Sequence, residues 1–436
     1  MQKDDGQLSG ITQSSDANRA TVSQGLEGGP ETTAAGTTYE NDSRVDQGGV
    51  GGHIATVTQS GRLNQSDLDQ TGSGNMALVR QNGTTGSSTV TQSGDGAMVD
   101  IDQARGMRND ATVRQAANGT ATVDQAGDRN AATVDQKAGA SNARATIATE
   151  GNANAAAITQ ATARAVARID QTGNTNGSTI RQTGTAGNFG ASATSSQIGN
   201  GNTSTITQTA GGQARVNQGG TFFDTTGFER DEGPFIAQGT STNNASTVTQ
   251  NDGGAFAIVG QGGTGNTQTL TQTGPADALV QQSGARNRSE VVQNGMQKDG
   301  STIAVQIRQL GSDGFSSLTQ NGGGAPGGNN RAFVDQVSGS CLASSTITQD
   351  GQGNLADVTQ GGQGMGSGAG EGNNSTITQS AGSSDNSAML MQMGSFNQST
   401  IDQSGSLNRA DVSQSTNGNM SSVTQSGSGN SAIVRQ

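Results

Sequence analysis

Glutamine returns at a fixed interval, and the residues before it alternate. Gln59, Gln70, Gln81, Gln92 and Gln103 are 11 residues apart, and Gln392, Gln403, Gln414, Gln425 and Gln436 repeat that spacing. Two residues before each stands an aliphatic side chain, four before a Ser or Ala, and six before usually an Asn, as in Asn75/Ala77/Val79/Gln81 and Asn430/Ala432/Val434/Gln436. A period of two is the mark of a β-strand with one covered face, because successive side chains point to opposite sides. The intervening positions, such as Thr56, Thr58, Arg80, Asp124 and Arg435, suit a solvated face. After the glutamine a glycine commonly follows, as at Gly61, Gly72, Gly173, Gly405 and Gly427, which predicts a corner needing positive φ.

The minus-four residue alternates between Ser and Ala: Ser43, Ala55, Ser66, Ala77, Ser88 early, and Ser399, Ala410, Ser421, Ala432 late. The repeat is therefore about 22 residues, one Ser-type and one Ala-type strand per coil. Phase holds between Gln136 and Gln160 only if Ala145/Ile147/Thr149 is a strand whose glutamine slot holds Thr149. It also requires insertions near 25–40, 219–242 and 361–370, the second carrying Phe222, Phe223, Phe228 and Phe235 and expected to pack on the flank. With these set aside, the pattern predicts 34 strands in about 17 coils, from Ser9/Ile11/Gln13 to Gln436. The fold class expected is all-β, a parallel β-solenoid with two strands per coil, spanning 1–436 as a single domain.

Composition agrees with such a fold and disfavours others. Hydrophobic residues are 29% and aromatic ones 2%, while glycine numbers 69. A thin two-layer stack needs only one aliphatic residue per strand, whereas a bulky globular core needs far more. The net charge of −12 argues against nucleic acid, which requires clustered Lys and Arg. No apolar run is long enough to span a membrane as a helix. The single Cys341 excludes an internal disulfide and a multi-thiolate metal site.

A covered amide is costly unless its donors and acceptors are met. Stacking in register supplies the partners. The expected ladder comprises Gln59, Asn64, Gln70, Asn75, Gln81, Gln92 and Gln103 near the start. Gln403, Asn408, Gln414, Asn419, Gln425, Asn430 and Gln436 continue it near the end. The first strand starts close to Met1 and the last closes on Gln436, so both end coils are expected to be uncapped. The joint between successive subunits is then expected at Ser9, Ile11 and Gln13 on one side and Asn430, Ala432, Val434 and Gln436 on the other.

At this point the chain resembles the curlin-repeat family, the building unit of curli-type bacterial amyloid, whose motif reads Ser-x5-Gln-x-Gly-x2-Asn-x-Ala-x3-Gln. Gln70-x-Gly72-x2-Asn75-x-Ala77-x3-Gln81 and Gln425-x-Gly427-x2-Asn430-x-Ala432-x3-Gln436 match its second half residue for residue. The first half departs, since Asn64 and Asn419 stand where the family often has Ser, with Ser66 and Ser421 two positions later. The chain also carries many more repeats than familiar members. The resemblance implies a secreted subunit that polymerises with itself into extracellular biofilm fibres and mediates adhesion and surface attachment. It also implies a nucleator subunit and a secretion channel as partners. No charged leader with an apolar stretch precedes Gln2, so any secretion signal is expected to have been removed or to lie outside the given sequence.

Two other functions are compatible with a solenoid. A monomeric ice-binding protein would use Thr-x-Thr faces such as Thr89/Thr91, Thr205/Thr207, Thr247/Thr249, Thr346/Thr348 and Thr376/Thr378, but Asp67, Asp69, Arg181, Glu290 and Asp402 interrupt the array. A calcium-binding repeat adhesin would place Asp at turns, whereas Asp124, Asp135 and Asp335 precede glutamine on strands. No enzyme, cofactor or metal is expected. His53, the one histidine, lies beside Gly51 and Gly52 and reads as a solvated loop residue. The glycine-rich stretch Gly322–Gly328 lacks the ending of a phosphate loop and reads as a corner extension.

Overall fold

Strands form wherever the two-residue alternation was read. The computed structural model describes residues 7–25, 40–184, 190–219, 241–251, 254–295, 304–322, 330–337, 340–361 and 371–436. Among them are 35 strands, including the two-residue Ser241–Thr242, and no helix. The fold is an all-β parallel solenoid of about 14 turns, not 17. Most of the insertions expected near 25–40, 219–242 and 361–370, with the four phenylalanines of the second, lie outside the described residues, as does most of Gly322–Gly328.

The chain read as one domain divides into two compact units, Met1–Gly201 with Ile206–Ala210, and Asn202–Thr205 with Gly211–Gln436. In the first, Ser-type strands pair in parallel with Ser-type strands two elements on, and Ala-type with Ala-type. Ile54–Arg62 meets Met76–Thr84 with Ala55 opposite Ala77, Val57 opposite Val79 and Gln59 opposite Gln81. Gln65–Gln70 meets Ser87–Gln92 with Ser66 opposite Ser88 and Leu68 opposite Val90. The second unit repeats the arrangement: Asn374–Gln379 meets Gln398–Gln403, and Ser387–Gln392 meets Arg409–Gln414, each without slippage.

Register follows from burial. Slipping by one residue would turn every aliphatic side chain outward, so the covered column fixes the pairing. Val45, Val57, Leu68, Val79 and Ile101 are fully buried, each worth roughly 1.5–3 kcal/mol gross. Ser43 and Ala55 are equally buried, and their small side chains keep the two layers close.

Corners are equally constrained. Gly61, at φ +97°, lies so close to the next turn that a Cβ there would be 2.0 Å from Gly83 O. Only glycine fits such an approach. The corner glycines at 72, 173, 405 and 427 share the positive φ expected of them.

Candidate functional site: the amide columns and edge strands

In the first unit Gln59 Nε2 donates to Gln81 Oε1 at 2.8 Å, Gln81 to Gln103 at 2.8 Å, and Gln103 to Gln125 at 2.9 Å. The facing sheet holds a second column in which Gln70 donates to Gln92 at 2.7 Å. In the second unit Gln403 donates to Gln425 at 2.9 Å and Gln414 to Gln436 at 2.9 Å. The other proton of each amide crosses to the opposite strand. Gln81 donates to Gln65 O at 2.9 Å, Gln92 to Met76 O at 3.0 Å, and Gln425 to Arg409 O at 2.9 Å. Each glutamine therefore ties its own sheet along the stack and clamps the facing layer.

One slot in the first unit is different. Thr149 is in register with Gln125 on one side and Gln171 on the other, the placement that phase alone required. Its hydroxyl is buried without a hydrogen-bond partner, and so is Gln171 Oε1.

The asparagines do not build the amide-to-amide ladder expected of them. Asn64 Oδ1 accepts the Gly86 N–H at 2.9 Å, and its Nδ2 donates to Ser60 O and Gly83 O, both at 3.0 Å. Asn75 Oδ1 accepts the Ala97 N–H at 2.8 Å, and its Nδ2 donates to Thr71 O. Asn408 and Asn419 repeat the side-chain-to-backbone pattern, donating to Ser404 O and Thr416 O. Asn430 alone of the five also donates to another amide, Asn408 Oδ1 at 2.9 Å. The reason is length: at a corner the shorter side chain reaches the main chain of its own and the next turn, whereas glutamine at a strand end reaches its equivalent.

His53 requires a correction. It is fully buried, not solvated. It occupies the corner slot held by asparagine elsewhere: its Nδ1 accepts the Asn75 N–H at 3.2 Å, and its Nε2 is 2.8 Å from Gly48 O. Acceptance at Nδ1 places the ring proton on Nε2, which donates to that carbonyl.

The edge strands carry the residues read as a joint. Leu8–Gln13, with Ser9, Ile11 and Gln13, is exposed throughout and pairs with Asp42–Gln47. Ile11 is 47% exposed, whereas its partner Val45 is fully buried. Ser431–Arg435 pairs with Arg409–Gln414; Ala432 and Val434 are half-covered, and Asn430 and Gln436 exposed.

Two features escaped the sequence reading. An outer asparagine column runs along one corner of the first unit, Asn152 donating to Asn174 at 3.1 Å and Asn174 to Asn200 at 3.0 Å. The signal was present, because each asparagine follows a corner glycine. The outer arginines also bridge turns, Arg80 reaching Asp100 at 3.0 Å and Asp102 at 3.2 Å. These exposed pairs contribute little stability. Among the described residues no cluster of three or more His, Cys, Asp or Glu could hold a metal, and no helix is long and apolar enough to cross a membrane.

The comparison with curated proteins finds no match. A family model, the Curlin associated repeat, matches residues 55–83 in the first unit and 384–415 and 408–436 in the second. These are stretches where the glutamine spacing, the corner asparagine and the corner glycine are all regular, and in them the chain carries the curlin-associated repeat.

Proposed function

We propose that this chain is a structural, non-catalytic subunit that joins end to end with copies of itself into amyloid-type fibres outside the cell, as matrix of a biofilm. The observation that carries this reading is the pair of edge strands. Among the described residues Leu8–Gln13 pairs with Asp42–Gln47 alone and Ser431–Arg435 with Arg409–Gln414 alone, so each leaves one side of its ladder open. Parallel pairing with like residue over like recurs along both units, so a further copy can add by the same bonds. The joint is assigned to Ser9, Ile11 and Gln13 against Asn430, Ala432, Val434 and Gln436. Secretion, surface attachment, a nucleating subunit and an export channel come with the family and complete the proposal.

The experiment is growth of the purified chain, followed by electron microscopy and fibre diffraction for a meridional spacing near 4.8 Å. A charged, proline-bearing extension after Gln436 should stop elongation. Removing residues 415–436 should only move the joint by one turn. Undiminished growth with the extension would overturn the proposal.

A further inference from the structure

The outer faces of the two units differ in charge. In the second unit, parallel strands run from Ala245–Gln250 to Met420–Gln425 and present one continuous outer surface. At its centre Ser317 and Thr319, Thr346 and Thr348, and Thr376 and Thr378 lie in register on three successive strands, all partly exposed. The array is extended by Thr247 and Thr249 beside Thr269 and Thr271. Columns repeat at about 4.8 Å along the stack and about 6.6 Å along each strand.

Among the outward positions of these strands four are ionised. Arg288 and Glu290 neutralise each other at 3.7 Å, Asp350 lies at a strand end where it accepts from Asn321 Nδ2, and Asp402 stands alone. The equivalent sheet of the first unit has Asp42, Arg44, Asp46, Asp67, Asp69, Asp110, Arg114, Asp135 and Arg181 outward on five of its strands. The other sheet of the second unit carries Arg308, Asp335, Asp357, Asp411 and Arg435 outward.

We infer that the neutral face of the second unit is the lateral contact for a second copy of this chain, the same face meeting itself across a two-fold axis. Charge selects the occupant. Each copy carries −12, so two chains approach with least repulsion where each presents the fewest charges. A self-matching contact also needs no complementary partner patch. Hydroxyl columns of equal spacing interdigitate, each Thr methyl covered and each hydroxyl able to bond its counterpart. Eight strands of six residues give a surface of roughly 38 by 20 Å, close to the roughly 800 Å² per partner of a specific interface. The contact does not depend on end-to-end growth, because two soluble chains already present it.

The test places two charges on this face, Thr346→Asp with Thr376→Asp, against a control with two on the first unit, Thr89→Asp with Thr112→Asp. Filament width is read by electron microscopy, and self-association of the freshly dissolved chain by sedimentation velocity. The wild-type chain and the control should pair side by side. The face variant should give filaments of single width and normal length, and a soluble pair weakened at least tenfold. Thr346→Ser with Thr376→Ser should retain pairing. In a Cys341→Ser background, Thr346→Cys should give an oxidised dimer through that cysteine. Pairing that survives the aspartates, that is lost equally in the control, or that never occurs in the wild type overturns the inference. So does a monomer that lowers the freezing point of water through this face. Soluble pairing without filaments would leave the lateral contact standing and remove end-to-end growth.

Discussion

Thr149 lies in register with Gln171 and leaves it without a donor. Gln59, Gln81, Gln103, Gln125 and Gln197 of that column each receive an amide proton from the preceding glutamine, whereas Gln171 Oε1 is buried and unmet. Thr149→Gln should close the gap. A satisfied buried group is worth about 1–3 kcal/mol over an unsatisfied one. The variant should slow hydrogen exchange of the backbone amides around residues 148–150 by tenfold or more. Faster exchange would mean that the slot is too narrow for the longer side chain.

Gln81 tests the intact column. Gln81→Leu keeps the volume but leaves one Gln59 proton and Gln103 Oε1 unmet, together with the bond to Gln65 O. A loss of about 2–4 kcal/mol is expected, read as earlier thermal unfolding of the full chain. Arg80→Ala next to it removes only surface pairs and should cost under about 1 kcal/mol.

His53 acts as a long asparagine. His53→Asn should restore an amide oxygen facing the Asn75 N–H and cost little, while His53→Leu orphans that N–H and Gly48 O. The expected loss for leucine is about 2 kcal/mol or more, against under about 1 for asparagine. Equal losses in thermal unfolding would show that volume, not hydrogen bonding, governs this corner.

The two kinds of corner residue should respond in opposite ways. Gly61→Ala drives a Cβ into Gly83 O and should destabilise by several kcal/mol, on the order of 3 or more. Gly74, at φ +63° with open space where a Cβ would stand, should accept asparagine nearly unchanged. Leu63 holds φ +56°, so Leu63→Gly should relieve roughly 1–2 kcal/mol of backbone strain. Chemical denaturation of the three variants provides the comparison.

Acidification should relieve one local conflict. Asp124 lies in a groove with Asp102, Glu150 and Asp170. Its carboxyl is raised above the ordinary range, first by burial and then by Asp102 and Asp100, with Arg80 opposing. The folded chain therefore takes up this proton at higher pH than the unfolded chain. The penalty is full at neutral pH and lifts as pH falls through the raised value. Asp124→Asn should stabilise at pH 7 by well under about 1 kcal/mol after solvent screening. That gain should vanish in the acid range; a gain that persists there would show another cause.

Much of this architecture was legible because it rests on short-range periodicity. The alternation at Asn75/Ala77/Val79/Gln81 fixes strand, face and register together, and parity alone placed Thr149 between two glutamines 46 residues apart. What could not be read depends on reach and on neighbours in space. Nothing in the sequence around Asn64 distinguishes an amide that meets its equivalent from one that meets a corner carbonyl, because the two outcomes differ by one methylene of length. His53 was misread because its glycine neighbours suggest a loop, while its burial comes from Asn18 and Asn75 on adjoining turns. The neutral face of the second unit emerges only when Ser317, Thr346 and Thr376, separated by irregular intervals, are brought side by side.

Wherever glutamine bonds glutamine among the described residues of a unit, the proton passes in the same sense, from the earlier residue to the later, in both sheets. Such a column is a vector. Reversing one copy against another would set hydrogen against hydrogen at one seam and oxygen against oxygen at the next, so any thread built by continuing these bonds has a compass direction. Its two tips are chemically unlike, and they should accept new material at unequal speeds.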